Sequence, residues 1–350
     1  MTPIPPRSIL IIRLSAIGDI IMASALIPAL RGAYPDARLV WLTDEANVGL
    51  LRNNPRLDRV IVWPRQRWRQ LLKARRYREC FGEFLALIRT LRSERFDWVL
   101  DLQGLLKSGL WAFLSGGRQR IGLGSREGSQ FLMSRVISRE VESLRIGKEY
   151  LKLACELGIE PGRFNMDVAV SEQEKTEADA LLKAAGIAGA FAVIAPCTTR
   201  PQKHWFDDRW SELSARLTSA WGLPVVMLGG PADQTRAQAI TARAPSLVDL
   251  TGQTSLGQCA AIIQGASLLM GVDTGLTHLG IAMQTPTLAL FGSTRPYLDP
   301  GDAVASVLYE PLPCSPCRRR PTCGGEFTCM RLLTVDKVLA AASTLLEGND

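Results

Sequence analysis

Short apolar runs alternating with amphipathic helical stretches restrict this chain to a few folds. Residues 8–13 (SILIIR) are apolar and too short for a helix, so they read as a buried strand. A turn over 14–18 follows, then a helix over 19–34 with Pro28 as its predicted kink. Strands are predicted at 38–43 and 60–63, an amphipathic helix at 76–95, and a strand at 96–102 (FDWVLDL). The pattern weakens between 160 and 189 and then restarts. Strands are predicted at 191–195, 224–228, 247–249, 267–272 and 287–291, with helices at 207–221, 256–266 and 275–283. Such alternation builds parallel βαβ units. Two runs of it predict two α/β domains, 1–170 and 171–350, and 350 residues suffice for two cores.

Asp19, Thr198, Gly229, Asp233 and Asp273 each follow a predicted strand closely. Ligands of parallel sheets bind at the carboxyl ends of strands. The expected architecture is therefore two Rossmann-like domains with a ligand cleft between them.

Charge and cysteine usage narrow the class. Residues 1–170 hold 27 Lys and Arg against 17 Asp and Glu, whereas residues 171–350 hold 14 against 17. The basic residues crowd at Arg65, Arg67, Arg69, Lys73, Arg75, Arg76 and Arg78, with Trp63 and Trp68 beside them. Such a segment fits nucleic acid, an anionic membrane face or an acidic ligand, or it is a solvated helix face. No RNA-binding, zinc-finger or homeodomain pattern accompanies it, which puts nucleic acid last. Arg13 and Asp19 interrupt 8–30, the most apolar stretch, so a spanning helix is not expected. Arg7, behind Pro3, Pro5 and Pro6, precedes no clean cleavage site, so a cytoplasmic chain is expected. Cys80, Cys155, Cys197 and Cys259 are scattered and expected to remain thiols there.

Several chemistries lack their motifs. There is no G-x-x-x-x-G-K-[ST] loop, and residues 122–128 (GLGSREG) miss G-x-G-x-x-G by one position. No G-x-S-x-G elbow occurs. The absence of D-x-D favours neutralising a diphosphate with backbone amides and basic side chains rather than a divalent cation.

Four segments carry candidate chemistry. In 13–20, Asp19 opens a helix next to Gly18; the helix dipole should favour its ionised form, making it either a general base or a helix cap. In 196–205, Thr198, Thr199 and Lys203 follow a strand and could cradle a phosphate, or form a polar loop before the next helix. In 270–278, the strand ends at Asp273 and a helix opens at Thr274-Gly275, with His278 one turn on; this offers amides to a diphosphate, the alternative for His278 being a satisfied core imidazole. In 229–233, Asp233 beyond a Gly-Gly-Pro turn suits ribose hydroxyls, or simply closes the turn.

These segments in this order, with Asp101-Leu-Gln-Gly-Leu-Leu-Lys-Ser108, resemble glycosyltransferase family 9, the ADP-heptose:lipopolysaccharide heptosyltransferases. The likeness runs from about Ile9 to Phe291, and residues 101–108 and 198–205 look most like heptosyltransferase I. It implies a GT-B fold, with the acceptor on the N-terminal domain and ADP-heptose on the C-terminal one. It implies Asp19 as general base, and Thr198, Thr199, Lys203, Asp273, Thr274, Gly275 and His278 around the diphosphate and heptose. It further implies Asp233 near the ribose, Thr254, Ser255 and Leu256 around the adenine, and Arg67, Arg69 and Lys73 on Kdo or lipid phosphates. The reaction would be inverting transfer to Kdo-lipid A in inner-core biosynthesis, without a required cofactor, nucleic acid or obligate protein partner. The enzyme would be peripheral to the inner face of the cytoplasmic membrane, with the Arg/Trp segment as the contact.

Two alternatives stand beside this reading. One is heptosyltransferase II or another family 9 enzyme with a different acceptor or nucleotide sugar; the other is a non-catalytic nucleotide or nucleic-acid binding protein. The tail departs from heptosyltransferase I. Cys314, Cys317, Cys323 and Cys329, with Arg318, Arg319 and Arg320 among them, could hold a structural zinc ion or form a reduced or locally disulfide-bonded loop.

Overall fold

The computed structural model describes residues 5–302, 304–317 and 320–347. The chain divides into two compact units, Met1–Ser143 with Gly147–Ala169, and Leu144–Ile146 with Val170–Asp350. The first runs β1 (Ser8–Ile12), α1 (Ile17–Ala23), α2 (Leu26–Ala33), β2 (Arg38–Asp44), β3 (Arg59–Trp63), α3 (Arg65–Lys73), α4 (Tyr77–Ser93), β4 (Trp98–Asp101), α5 (Leu106–Leu114), β5 (Gln119–Leu123), β6 (Arg135–Ile137) and α6 (Lys148–Glu156). The second runs α7 (Glu172–Ala184), β7 (Ala192–Ala195), α8 (Asp207–Trp221), β8 (Val225–Met227), α9 (Gln234–Thr241), β9 (Val248–Asp249), α10 (Leu256–Gly265), β10 (Leu268–Val272), α11 (Gly275–Ala282), β11 (Thr287–Phe291), β12 (Ala305–Tyr309), α12 (Thr328–Arg331) and α13 (Val335–Glu347).

Each unit holds one six-stranded sheet, ordered β3-β2-β1-β4-β5-β6 and β12-β11-β10-β7-β8-β9. All strand pairs are parallel. Helices cover both faces of such sheets, which is why β1, β10 and β11 are buried at every residue and read as continuous apolar runs. On one face of the first sheet Leu10, Ile12, Val40 and Leu42 pack against Leu87, Leu91 and Trp111 from α4 and α5. In the second, Ile194, Met270 and Leu288 pack against Trp210 and Leu213 of α8 and Val338 of α13.

Strand order reverses at β1/β4 in the first unit and at β7/β10 in the second. Loops leaving such a pair diverge to opposite faces and open a crevice at the carboxyl edge. Asp19 and Asp101 lie at the first switch point, Thr198 and Asp273 at the second. The sheet topology thus sets these side chains at a ligand edge in each unit.

Three expectations need correction. The predicted 19–34 helix is two helices, broken at Ser24 and Ala25 rather than at Pro28. Ser24 Oγ donates to the Ile21 carbonyl at 2.6 Å and accepts from the Asp167 amide at 2.8 Å, bonds that end α1. Pro28 lies in the first turn of α2, where a missing N–H costs no helical bond. Second, the weak stretch before 189 contains α7, whose Ser171 and Glu174 form a capping box. Third, Trp63 and Trp68 are not an exposed Arg/Trp surface. Their rings pack on Trp111 at 6.1 and 6.0 Å and help cover the first core.

Candidate active site

In the first unit the loop after β1 carries Arg13 and Asp19. Arg13 is buried; one guanidinium nitrogen donates to the Leu102 carbonyl at 2.7 Å and another pairs with Asp19 Oδ2 at 2.5 Å. Asp19 is the third residue of α1 and its Oδ2 also accepts from the Ala16 amide at 3.3 Å. Both bonds use Oδ2. Oδ1, on a side chain 35% exposed, carries no bond among the described residues. A carboxylate oriented by a buried guanidinium, with one oxygen open, can accept a proton from a hydroxyl.

The 101–108 segment holds this loop in place. Gln103 Oε1 accepts from the Leu14 amide at 3.0 Å, and its amide nitrogen donates to Ser15 Oγ at 3.4 Å. Asp101 accepts from the Gln103 and Gly104 amides, both at 3.1 Å, which fixes the turn. Burial pushes the Asp101 carboxyl up despite those bonds. Lys107, which the sequence reading gave no role, feels the charges of Arg65, Asp44 and Arg13; burial, then Arg65, lowers its pKa. The signal for it was its place in the quoted motif.

A groove of about 350 Å³ lies beside these residues, lined by Asp44, Ala46, Arg65, Gln66, Arg69, Gln70 and Lys73. Arg65, Arg69 and Lys73 are four residues apart on α3 and so share a face. Arg65 pairs with the buried Asp44 carboxylate at 2.5 Å. Arg67 points elsewhere: it pairs with Glu83 at 2.6 Å and Glu79 at 3.1 Å on α4. Of the expected anion contacts, the groove gathers Arg69 and Lys73 with Arg65, and leaves Arg67 out.

In the second unit Asp273 is the hub. It directly follows β10, and its Oδ2 takes the Lys203 ammonium at 2.5 Å and the Thr294 hydroxyl at 2.6 Å. His278 Nε2 lies 3.4 Å from Oδ1, and His278 Nδ1 lies 3.1 Å from the buried Tyr297 hydroxyl. Burial raises the Asp273 pKa, but His278 and Lys203 outweigh it and hold the carboxyl well below the usual range. Burial and Asp273 together push the Tyr297 phenol well above its ordinary value, which keeps it an O–H donor. Thr198 Oγ1 donates to the Asp273 carbonyl at 3.3 Å, joining the β7 and β10 loops. Thr274 precedes α11 and Gly275 is its first residue, so the helix amino end opens beside this cluster. The set offers hydroxyls, an ammonium and amides to a phosphorylated ligand.

The remaining expected donor residues have local partners. Asp233 Oδ2 accepts from the Gly230 amide at 2.8 Å and closes the Gly-Gly-Pro turn. Ser255 caps α10 with Gln258, and Thr254 Oγ1 lies 3.1 Å from Cys259 Sγ. Leu256 is the first residue of α10, half-buried, and Thr199 is exposed after β7. Tyr297 and Thr294, which touch His278 and Asp273, were missed; each lies past the last strand that the reading treated as informative.

The zinc expectation finds no support. Among the described residues no group of three or more His, Cys, Asp or Glu side chains is arranged to hold a metal ion. Cys314 is exposed whereas Cys329 is buried, in the first turn of α12. Cys329 packs against the backbone at Gly292, where an added Cβ would lie 2.8 Å from its sulfur. Arg318 and Arg319 lie outside the described residues. Cys197 and Cys259 are core thiols, pushed by burial to about 12 and about 11. Among the described residues no helix is long and apolar enough to cross a membrane.

Comparison with known proteins accords with this geometry. The model of glycosyltransferase family 9 (heptosyltransferase) matches residues 84–326. The lipopolysaccharide heptosyltransferase 1 of Pseudomonas aeruginosa is 27% identical over 321 residues, 90% of this chain and 87% of that one. The lipopolysaccharide core heptosyltransferase OpsX of Haemophilus influenzae is 24% identical over 297 residues, 83% of this chain and 80% of that one. Among solved structures, the E. coli heptosyltransferase WaaC with ADP-2-deoxy-2-fluoro heptose superposes with a TM-score of 0.71 at 25% identity, covering 98% of this chain and 100% of that one. Two six-stranded parallel sheets together with these neighbours bear out the GT-B fold.

Proposed function

The chain belongs to glycosyltransferase family 9, the heptosyltransferase family, and from that premise we propose that it is a lipopolysaccharide-core enzyme moving heptose from ADP-heptose to Kdo-lipid A. Family membership makes it a glycosyltransferase, so the alternative of a non-catalytic binding protein falls away. The observation that carries the reaction is Asp19, a carboxylate at a switch point, paired to a buried arginine through one oxygen and open at the other.

The step is a direct displacement. Asp19 Oδ1 takes the proton of the acceptor hydroxyl as its oxygen bonds to the anomeric carbon of the heptose. The bond from that carbon to the diphosphate oxygen breaks, its electron pair leaves with ADP, and the configuration inverts. Positive charge develops on the sugar and negative charge on the leaving diphosphate. Lys203, Thr198, Thr199 and the amino end of α11 at Thr274-Gly275 stabilise the diphosphate. Lys203 must exchange part of its bond to Asp273 for the diphosphate, while His278 remains on the carboxylate. Asp233 serves the ribose through its second oxygen, and Thr254, Ser255 and Leu256 border the adenine. Arg65, Arg69 and Lys73 bind the anionic acceptor in their groove, and the enzyme works at the membrane surface where that lipid resides.

The test is ADP release from ADP-heptose with and without Kdo-lipid A, for the wild type and Asp19→Ala. Acceptor-dependent release that disappears in the variant is expected. Release only with an already heptosylated core would move the acceptor one sugar outward. Release from the variant at the wild-type rate would remove Asp19 from the chemistry.

A further inference from the structure

The first unit exposes apolar side chains that its cores do not explain. Leu106, Leu110 and Phe113 are 43%, 43% and 48% exposed on α5. Their spacing puts them on one side of that helix, opposite the buried Ser108 and Ala112. Gly109 lets the 129–132 turn approach closely: an added Cβ there would lie 2.7 Å from Ser129 Cβ. That turn presents Phe131, which is 85% exposed. On the other flank Phe84 of α4 lies 5.7 Å from Trp111, and the exposed Phe81 stacks on Phe84 at 6.4 Å. The apolar face therefore runs from α4 across α5 to this turn.

The stretch of chain that carries the face is one-sided in charge. Residues 64–133 contain 14 Lys and Arg against six Asp and Glu. Five of those six acids are already engaged. Glu79 and Glu83 pair with Arg67, Glu94 with Arg38 and Arg59, Asp97 with Arg118, and Asp101 accepts buried backbone amides. Arg120 lies over the Phe113 ring at 5.6 Å, which sets a cation against the apolar side chains.

From this pairing we infer that the α4–α5–Phe131 face docks on an anionic lipid bilayer. Apolar tips enter the acyl boundary while arginines meet lipid phosphates. A second copy of the chain is a poorer occupant, because a two-fold contact would set this cationic face against itself. Lys107, adjacent to Leu106, feels the charges of Arg65 and Asp44, which line the anion groove, so the face lies near the proposed acceptor headgroup. The inference extends the lipid-acceptor reading, but its test needs no acceptor and no turnover.

The experiment is co-sedimentation of the full chain with phosphatidylglycerol-containing vesicles and with pure phosphatidylcholine vesicles. Binding to the first and not the second is expected. The Leu110→Ser/Phe113→Ser/Phe131→Ser variant should partition at least about tenfold less. Its melting curve and ADP affinity should match the wild type. Phe131→Ser alone, at the most exposed position, gives a readout if the triple variant folds poorly, with a smaller loss expected. Unchanged vesicle binding by a folded variant, or no binding by the wild type, would overturn the inference. A concentration-dependent dimer abolished by the same substitutions, with vesicle binding intact, would assign the face to a second copy. Failure of heptose transfer with vesicle binding retained would count only against the reaction.

Discussion

Asp19 and Asp273, one at each switch point, differ in what surrounds them, and that difference sets the roles proposed for them. Asp19 has one oxygen bound and one open, as a base requires, whereas Asp273 is saturated by Lys203, Thr294 and His278 and can only organise. Asp19→Asn keeps the size and removes the basicity, so kcat should fall about 10²–10⁴-fold while the KM for ADP-heptose stays within a few-fold. Steady-state kinetics with each substrate varied checks this. Tyr297 fixes His278: with Nε2–H toward Asp273, Nδ1 is left to accept the phenol proton. Tyr297→Phe leaves a buried imidazole nitrogen unpaired, at a cost of about 1–3 kcal/mol. A lowered melting temperature and a raised donor KM are expected from calorimetry and kinetics. The Asp273 carboxyl is held below its unfolded value of about 3.9, so its stabilisation is complete above that pH and is lost as pH falls through the lower folded value. Acid unfolding monitored by circular dichroism should therefore show Asp273→Asn losing stability at neutral pH, with the deficit narrowing only under strongly acid conditions.

At the scale of elements, α3 decides which cations of a crowded basic run line the groove. The run alone makes Arg67, Arg69 and Lys73 equivalent, yet helical periodicity and the acidic face of α4 separate them. Arg69→Ala and Lys73→Ala should each raise the acceptor KM severalfold, whereas Arg67→Ala should leave it nearly unchanged with little effect on the melting temperature. Acceptor titrations of the three variants test the division. The same logic shows why α3 and α5 escaped the sequence reading. α3 is dominated by Arg and Gln, so its short apolar stripe of Trp68, Leu71 and Leu72 is submerged in a charged run, and α5 bears apolar residues on both its buried and its exposed sides. By contrast Ser171-x-x-Glu174 was a legible start signal for α7 within a stretch read as weak.

For the whole molecule, charge and topology are distributed by unit. The basic half holds the anion groove and the half with a slight acidic excess holds the Asp273 cluster, so raising ionic strength should increase the acceptor KM more steeply than the donor KM. Kinetics across a salt series would show equal slopes if the groove had no part in acceptor binding. Much of the fold was legible along the chain: strands buried on both faces must be short apolar runs, and residues 8–13, 191–195, 267–272 and 287–291 match them closely. The sequence also determined that Asp19, Thr198 and Asp273 stand at strand ends, because strand–helix punctuation is local. Only the tertiary structure decided which of these ends are neighbours, since strand order is a matter of pairing between segments distant in sequence. It likewise decided that Gln103 braces the Asp19 loop, that Tyr297 meets His278, and that Trp63 and Trp68 turn inward while Phe113 and Phe131 turn out. A residue's type limits the contacts it can make, but its exposure and its partners are properties of the packed neighbours, and those are brought together only when the chain folds.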